Sequence, residues 1–480
     1  MNRHEPSLPD EWELVCGLEV HVELGTATKL FCGCANRFGS EPNTNVCPTC
    51  LGLPGSLPVV NERAITDAMR LGRALGCTVR PSVFARKNYF YPDMPKDFQT
   101  TQYDQPTNED GWLDLPDGIR IEIERAHIEE DTGKSTHVGG DGRISSAEYS
   151  LIDYNRAGVP LVEVVSKPDI RTAAEAKAYV TELRGILLAL GVSDAKMEEG
   201  SMRVDANVSI RPTGSDELRT RCEIKNINSI SSLGRAITHE ANRHLDLYNT
   251  GDHPIQETRH WDEEAGRTRS GRSKEDAHDY RYFPEPDLVP LVPSVEELAR
   301  IDASMPIFPA EQRKLLANAS GTGAEDAALI VDRGQADFAL ASIDAGADGA
   351  RAIVHLVNNL ADGTGALTPA SFADLVAMET SGELSATQTK DVLAEMVTSG
   401  NAAADVAAAK GFEAMDSGEI EGLVDGLIAE HPEEWARFCG ADEVDAKKMA
   451  GFFTGRIMAA TKGQADGKVV AKVLNSRKPI

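Results

Sequence analysis

The octapeptide Gly17-Leu18-Glu19-Val20-His21-Val22-Glu23-Leu24 alternates apolar and polar residues without a break from Leu18 to Leu24. A strand turns successive side chains to opposite faces. The segment therefore predicts a strand with one face on a hydrophobic core and the other carrying Glu19, His21 and Glu23. Along that polar face the groups stand roughly 6.5–7 Å apart, close enough to share a hard cation when neighbouring strands help. Residues 120–124, 203–210 and 221–226 carry the same signature. Together these segments predict an antiparallel sheet with one buried face and one face rich in carboxylates. Acids gathered in this way repel one another unless cations or basic ligands sit among them.

Cys32 and Cys34, then Cys47 and Cys50, form two tight pairs, and the stretch between them contains Asn, Gly and Pro. Two such pairs can meet around one tetrahedral ion, and four sulfurs leave no open position, so the expectation is a structural zinc site. Cys16, Cys77, Cys222 and Cys439 are scattered through apolar or strand-like contexts. The N-terminus has no signal-peptide pattern, so the thiols are expected to be reduced and the protein cytoplasmic.

A chain of 480 residues predicts two to four domains, and no apolar run is long enough to span a membrane. The net charge of −27 speaks against a nucleic-acid partner, but the stretch from Lys447 to Ile480 contradicts it. It holds eight Lys/Arg against the single acid Asp466, a local +7 that leaves −34 for the rest. Such asymmetry suits a tail that reaches for phosphates. In residues 467–478, Val469, Val470, Val473 and Leu474 are predicted to face a core, with Lys468 and Lys472 one turn apart on a neighbouring face.

The texture of the chain changes near Tyr280, from Gly-, Pro- and aromatic-rich to Ala-rich and helical, and a break falls at Ala409-Lys410-Gly411. Three domains follow: 1–293, 294–408 and 409–480. Within the first, helices are predicted over 172–190 and 232–248. Gly133-Lys134-Ser135-Thr136 looks like the end of a P-loop, but position 128 is Ile where that loop needs Gly, so any use of ATP is by another route.

Six motifs join the octapeptide and the cysteine pairs: Arg86-Lys87-Asn88-Tyr89-Phe90-Tyr91-Pro92-Asp93, Glu129-Glu130-Asp131-Thr132-Gly133-Lys134, Lys196-Met197-Glu198-Glu199-Gly200-Ser201, Glu223-Ile224-Lys225-Asn226, Tyr280-Arg281-Tyr282-Phe283-Pro284 and Lys462-Gly463-Gln464-Ala465. With these the chain resembles, over essentially its whole length, the B subunit of the glutamine-dependent aspartyl/glutamyl-tRNA amidotransferases. The resemblance implies an α+β fold: a kinase-like cradle domain, a helical linker and a helical tail that engages tRNA. It implies ATP-dependent phosphorylation of the side-chain carboxylate of Asp or Glu misattached to tRNA-Asn or tRNA-Gln. Ammonia from a partner amidase, the A subunit, then displaces the phosphate, and a small C subunit completes a heterotrimer.

Phosphoryl transfer between two anions calls for Mg²⁺, and oxygen-rich ligation suits that ion. Matched to the family motifs, Glu19, His21, Glu129, Glu130 and Glu223 are the expected catalytic and magnesium-binding residues, joined by Glu163 and Asp205. Lys87, Asn88, Tyr89, Lys225, Asn226 and Arg281 are the expected substrate contacts, and Lys462, Lys468 and Lys472 the expected tRNA contacts. Two rival readings are a non-catalytic tRNA-docking protein, which has no need to gather acids, and a ligase with its own glutaminase, for which no nucleophile constellation is present.

Overall fold

A computed structural model describes residues 8–139, 147–271, 280–412, 417–440, 443–461 and 467–478. The chain divides into two compact units, Met1–Phe308 and Pro309–Ile480. The first contains β1 (Trp12–Glu23), α1 (Glu62–Ala74), β2 (Thr78–Val79), β3 (Ala85–Asn88), β4 (Phe98–Thr101), β5 (Asn108–Asp114), β6 (Arg120–Glu130), β7 (Lys134–Val138), β8 (Tyr149–Asp153) and β9 (Pro160–Ser166). It continues through α2 (Ala173–Leu190), β10 (Met202–Pro212), β11 (Cys222–Ile227), α3 (Ile230–Thr250), β12 (Thr258–Asp262), β13 (Arg267–Ser270), β14 (Phe283–Pro284) and α4 (Val295–Ala303).

The main sheet runs β13-β12-β11-β10-β1-β9-β6-β4-β3-β14, with β5 on β6 and β2 on β5, while β7 and β8 form a separate hairpin. Its pairings are antiparallel except one. The expected purely antiparallel sheet is corrected to a mixed one, because β11 and β12 are parallel neighbours. The reason is local: α3 lies between them in the chain and carries it back to start the next strand in the same direction.

The period-2 pattern of β1 holds. Leu18, Val20 and Val22 join Val162 and Val164 of β9 and Val204, Ala206 and Val208 of β10 in one core, which α1, α2 and α3 cover with Leu71, Leu183, Leu187 and Ile237. The helix ends follow capping chemistry. Thr172 precedes α2 and its hydroxyl accepts the Glu175 N–H at 3.0 Å, and Gly191 closes the helix at φ 65°, a conformation that costs glycine little.

Strand β6 departs from simple alternation. Ile121 and Ile123 are buried at its start and Ala126 and Ile128 further on, with a register shift against β9 between Ile123 and Arg125. An extra residue in a bulge exchanges the faces of everything after it. Past the bulge, His127 and Glu129 share one face and Ile128 and Glu130 the other.

The second unit is all helical: α5 (Pro309–Ser320), α6 (Ala324–Asp332), α7 (Ala336–Asp344), α8 (Gly349–Asn359), α9 (Pro369–Ser381), α10 (Ala386–Ser399), α11 (Ala403–Ala409), α12 (Ser417–Glu430), α13 (Pro432–Gly440), α14 (Glu443–Ala460) and α15 (Gly467–Ser476). It holds two hydrophobic clusters, one around Leu356, Phe372 and Met396, the other around Val424, Phe453, Ile457 and Leu474. The first ends with α11, after which Gly411 takes φ 68°. In α15, Val470, Val473 and Leu474 are buried and Val469 packs against them, as the spacing predicts. Among the described residues no helix is long and apolar enough to cross a membrane.

Candidate active site

The carboxylate face is assembled by register. Across β1 and β9, His21 lies opposite Glu163, and across β9 and β6, Glu163 lies opposite His127. One step along, Glu19 lies opposite Asp205 of β10. His21, Glu129 and Glu163 bring ligand atoms within 4.8 Å of one another, and so do Glu19, Asp205 and Glu223. Six of the seven residues expected at a magnesium site thus form two triads on one face.

His21 Nε2 stands 3.6 Å from Glu129 and 3.9 Å from Glu163, while His127 Nε2 stands 3.1 Å from Glu163 and 3.8 Å from Glu129. Burial on its own would push the His127 imidazolium down, but the charges of Glu163 and Glu129 overturn it and raise its pKa to about 9. Burial likewise opposes ionised Glu163, and the charges of His127 and His21 hold it well below the usual carboxylate range. In the second triad Lys225 Nζ donates to Asp205 at 2.6 Å and lies 3.4 Å from Glu223. Burial disfavours that ammonium, yet Asp205 and Glu223 hold it charged. Asn207 donates to Glu19 at 2.9 Å and Thr258 to Glu223 at 2.8 Å. The next acid on the face, Glu23, is pushed up to about 7 by burial and the nearby charge of Asp131.

Glu130 is not part of this face. Its carboxylate takes the Thr100 N–H at 2.8 Å and an ion pair with Lys96, in a cavity of about 240 Å³ that Lys29, Phe31, Cys50 and Arg86 also line. Lys87 holds its ammonium 4.6 Å from the ring centre of Tyr280. Asn88 donates to the carbonyls of Tyr280 at 2.9 Å and Arg281 at 2.8 Å, fixing a segment in which Arg281 takes φ 47°. Tyr89 stacks on Tyr91 at 4.6 Å. Asn226 is exposed, with φ 66° and a bond to the Trp261 carbonyl at 3.1 Å. Lys472 lies on α15; Lys462 and the side chain of Lys468 lie outside the described residues.

Sequence reasoning missed His127, Asn207 and Tyr282. Asn207 is visible in the alternation of 203–210. The bulge hides His127 by ending the readable pattern at Glu124. Burial and the charge of Glu129, then Tyr280 and Glu163, push up the Tyr282 hydroxyl.

The sulfurs of Cys32, Cys34, Cys47 and Cys50 lie within 4.8 Å of one another and none is in a disulfide. A tetrahedron of roughly 2.3 Å bonds needs sulfurs about 3.8 Å apart, so the donor set fits zinc. A hydrogen bond from Cys32 lowers Cys50 to about 5 against burial, helped by the Cys47 amide and the Lys29 charge. One thiolate thus stands ready for a cation.

A sheet with helices on one face and two carboxylate triads on the other, continued by an all-helical region, is the build of an enzyme that manages concentrated negative charge. Residues 14–299 match the GatB/GatE catalytic domain and residues 356–477 the GatB domain. The chain is 46% identical to the B subunit of the aspartyl/glutamyl-tRNA(Asn/Gln) amidotransferase of Streptomyces avermitilis, over 96% of this chain and 95% of that one. The B subunits of Streptomyces coelicolor and Nocardia farcinica show the same identity and coverage. The chain belongs to the family of aspartyl/glutamyl-tRNA(Asn/Gln) amidotransferase B subunits.

Proposed function

We propose that this chain catalyses the activation and amidation steps that convert Asp-tRNA(Asn) or Glu-tRNA(Gln) into Asn-tRNA(Asn) or Gln-tRNA(Gln). The observation that carries the reading is the pair of triads, His21/Glu129/Glu163 and Glu19/Asp205/Glu223, side by side on one sheet face. The substrate carboxylate attacks the γ-phosphorus of ATP, ADP leaves, and ammonia then displaces phosphate from the acyl phosphate to give the amide. Two Mg²⁺ ions held by the triads would neutralise the charge that builds between the two anions.

In this reading the sheet is the cradle of a kinase-like domain. Lys225, which serves as internal counter-ion to Asp205 and Glu223, and Lys87 would clamp the transferred phosphate. Asn88 and Asn226 hold the Tyr280–Arg281 segment and the end of β11 in place; Tyr89 and Arg281 contact substrate. The four cysteines hold structural zinc. Residues 1–293 form the catalytic domain, 294–408 a linker and 409–480 a basic tail that binds tRNA through Lys462, Lys468 and Lys472. Ammonia comes from the amidase that forms the A subunit, and a small C subunit completes a cytoplasmic heterotrimer.

The test is ATP consumption by the reconstituted complex, which should depend on misacylated tRNA and yield amidated aminoacyl-tRNA. Glu163→Gln should lower that rate by roughly a hundredfold or more while glutamine hydrolysis by the partner persists. An unchanged rate in Glu163→Gln would refute the assignment.

A further inference from the structure

At the rim of the first triad lies an aromatic pile that no step above uses. Tyr103 and Tyr282 stack with ring centres 4.1 Å apart and planes only 9° from parallel, and Tyr280 meets Tyr282 edge-on at 6.0 Å. The pile is built from two sides. Thr101 of β4 pairs with Glu129 of β6, so Tyr103, two positions on, emerges next to the triad. Gln102 between them is fully buried and anchored by the N–H groups of Thr107 and Ile128. From the other side, Asn88 grips the carbonyls of Tyr280 and Arg281, and the left-handed backbone at Arg281 presents Tyr282. A non-glycine residue held at positive φ is strained and persists only where its surroundings enforce it.

Tyr103 is 49% exposed, although its inner face is covered by Tyr282. A third planar ring can continue the pile on the outer face of Tyr103. Cations flank it: Lys87 beside Tyr280 and the exposed Arg281. Flat aromatic surface, flanking cations and a nearby carboxylate cluster suited to metal-bound phosphate together match one ligand chemistry, a nucleoside with its phosphates.

We propose that the Tyr103–Tyr282 stack is the platform on which an adenosine moiety rests its base during the reaction. The proposal rests on the function given above, whose two substrates both carry adenosine: ATP itself, and the terminal nucleoside of aminoacyl-tRNA. In the second the amino acid is esterified to the ribose, so a carboxylate at the triad leaves that base within a side chain and a sugar of the metal-binding groups. The platform is a positioning element and takes no part in bond making. It fixes where the acceptor or donor lies relative to His21, Glu129 and Glu163.

Equilibrium binding by the full complex tests this directly, whether or not amidation is observed. In one arm, Mg-ATP is compared with Mg-tripolyphosphate, which lacks the nucleoside. In the other, full-length tRNA(Asn) is compared with the same tRNA lacking its terminal adenosine. In the wild type, removing the base should weaken binding by about ten- to a hundredfold in one arm, which identifies the source of the adenosine. In Tyr103→Leu that cost should largely vanish, whereas Tyr103→Phe and Tyr103→Trp, which keep a π surface, should restore it. Equal base-removal costs in wild type and Tyr103→Leu, in both arms, would overturn the platform. So would a Tyr103→Phe variant as impaired as Tyr103→Leu, since that would mark the hydroxyl and not the ring. Loss of wild-type amidation alone would refute the proposed function and leave this binding result standing.

Discussion

Glu129 and Glu130 are consecutive in the chain, yet their carboxylates lie on opposite faces of the sheet, one 3.6 Å from His21 and the other ion-paired with Lys96. Their substitutions should therefore fail in different ways. Glu129→Gln should cut tRNA-dependent ATP consumption by about a hundredfold or more, because a charge that stabilises phosphoryl transfer is lost. Glu130→Gln leaves the largely buried Lys96 ammonium without its counter-charge and should cost about 3–5 kcal/mol of folding stability. Denaturant melts and steady-state rates on both variants check this; a Glu129→Gln protein less stable than Glu130→Gln would contradict the opposed placement.

In the proposed reading the cysteine cluster supports folding, because four sulfurs on one ion leave no position for a reacting group. Purified protein should contain one zinc per chain, and Cys32→Ser should release it and lower the melting temperature. Protein that folds should keep measurable activity. Metal analysis without zinc, or a Cys32→Ser variant that is stable and inactive, would show the assignment to be wrong.

Glu240 on α3 is fully buried and receives Thr268 at 2.7 Å, Arg243 at 2.6 Å and His244 at 3.2 Å. Burial would raise its pKa, but these hydrogen bonds win and hold it well below the usual carboxylate range. A carboxylate depressed in this way adds stability that is complete above its unfolded pKa and disappears as pH falls towards its folded pKa. The wild type should thus lose stability steadily below about pH 4.5, and Glu240→Gln should flatten that slope while lowering stability at neutral pH. Parallel slopes for the two proteins in urea melts between about pH 3 and 7, a window around the carboxylate range, would exclude Glu240 as the source.

Phe412 packs against the cluster of α5–α11, so ending the chain after it preserves that core and removes α12–α15. That truncation should raise KM for aminoacyl-tRNA strongly and flatten the salt dependence of tRNA binding, because phosphate contacts dominate both. Amidation with ammonium at saturating tRNA should be partly retained. Within the tail, Arg477 is engaged by Asp425 and Glu421, each at 2.9 Å, so Arg477→Gln should matter less for tRNA than Lys472→Gln. An unchanged affinity and salt slope in the truncated complex would refute a tRNA role for the tail.

Local pattern alone determined a good deal. The alternation of 18–24 set β1 and the face of Glu19 and His21, the period of 172–190 set the extent of α2, and two short cysteine pairs set a four-sulfur cluster. These rest on interactions between near neighbours, which the chain writes in order. The tertiary structure decided the rest. Glu163 meets His21 and His127 only because β9 pairs with both β1 and β6, and Glu129 joins them only because β6 bulges against β9 between Ile123 and Arg125. A shift by a single position exchanges every later side chain between faces, and where it falls is set by pairing with β9, a strand remote in sequence from the bulge. The alternation before the bulge assigns Glu129 to the core face and Glu130 to the carboxylate face. The fold reverses them.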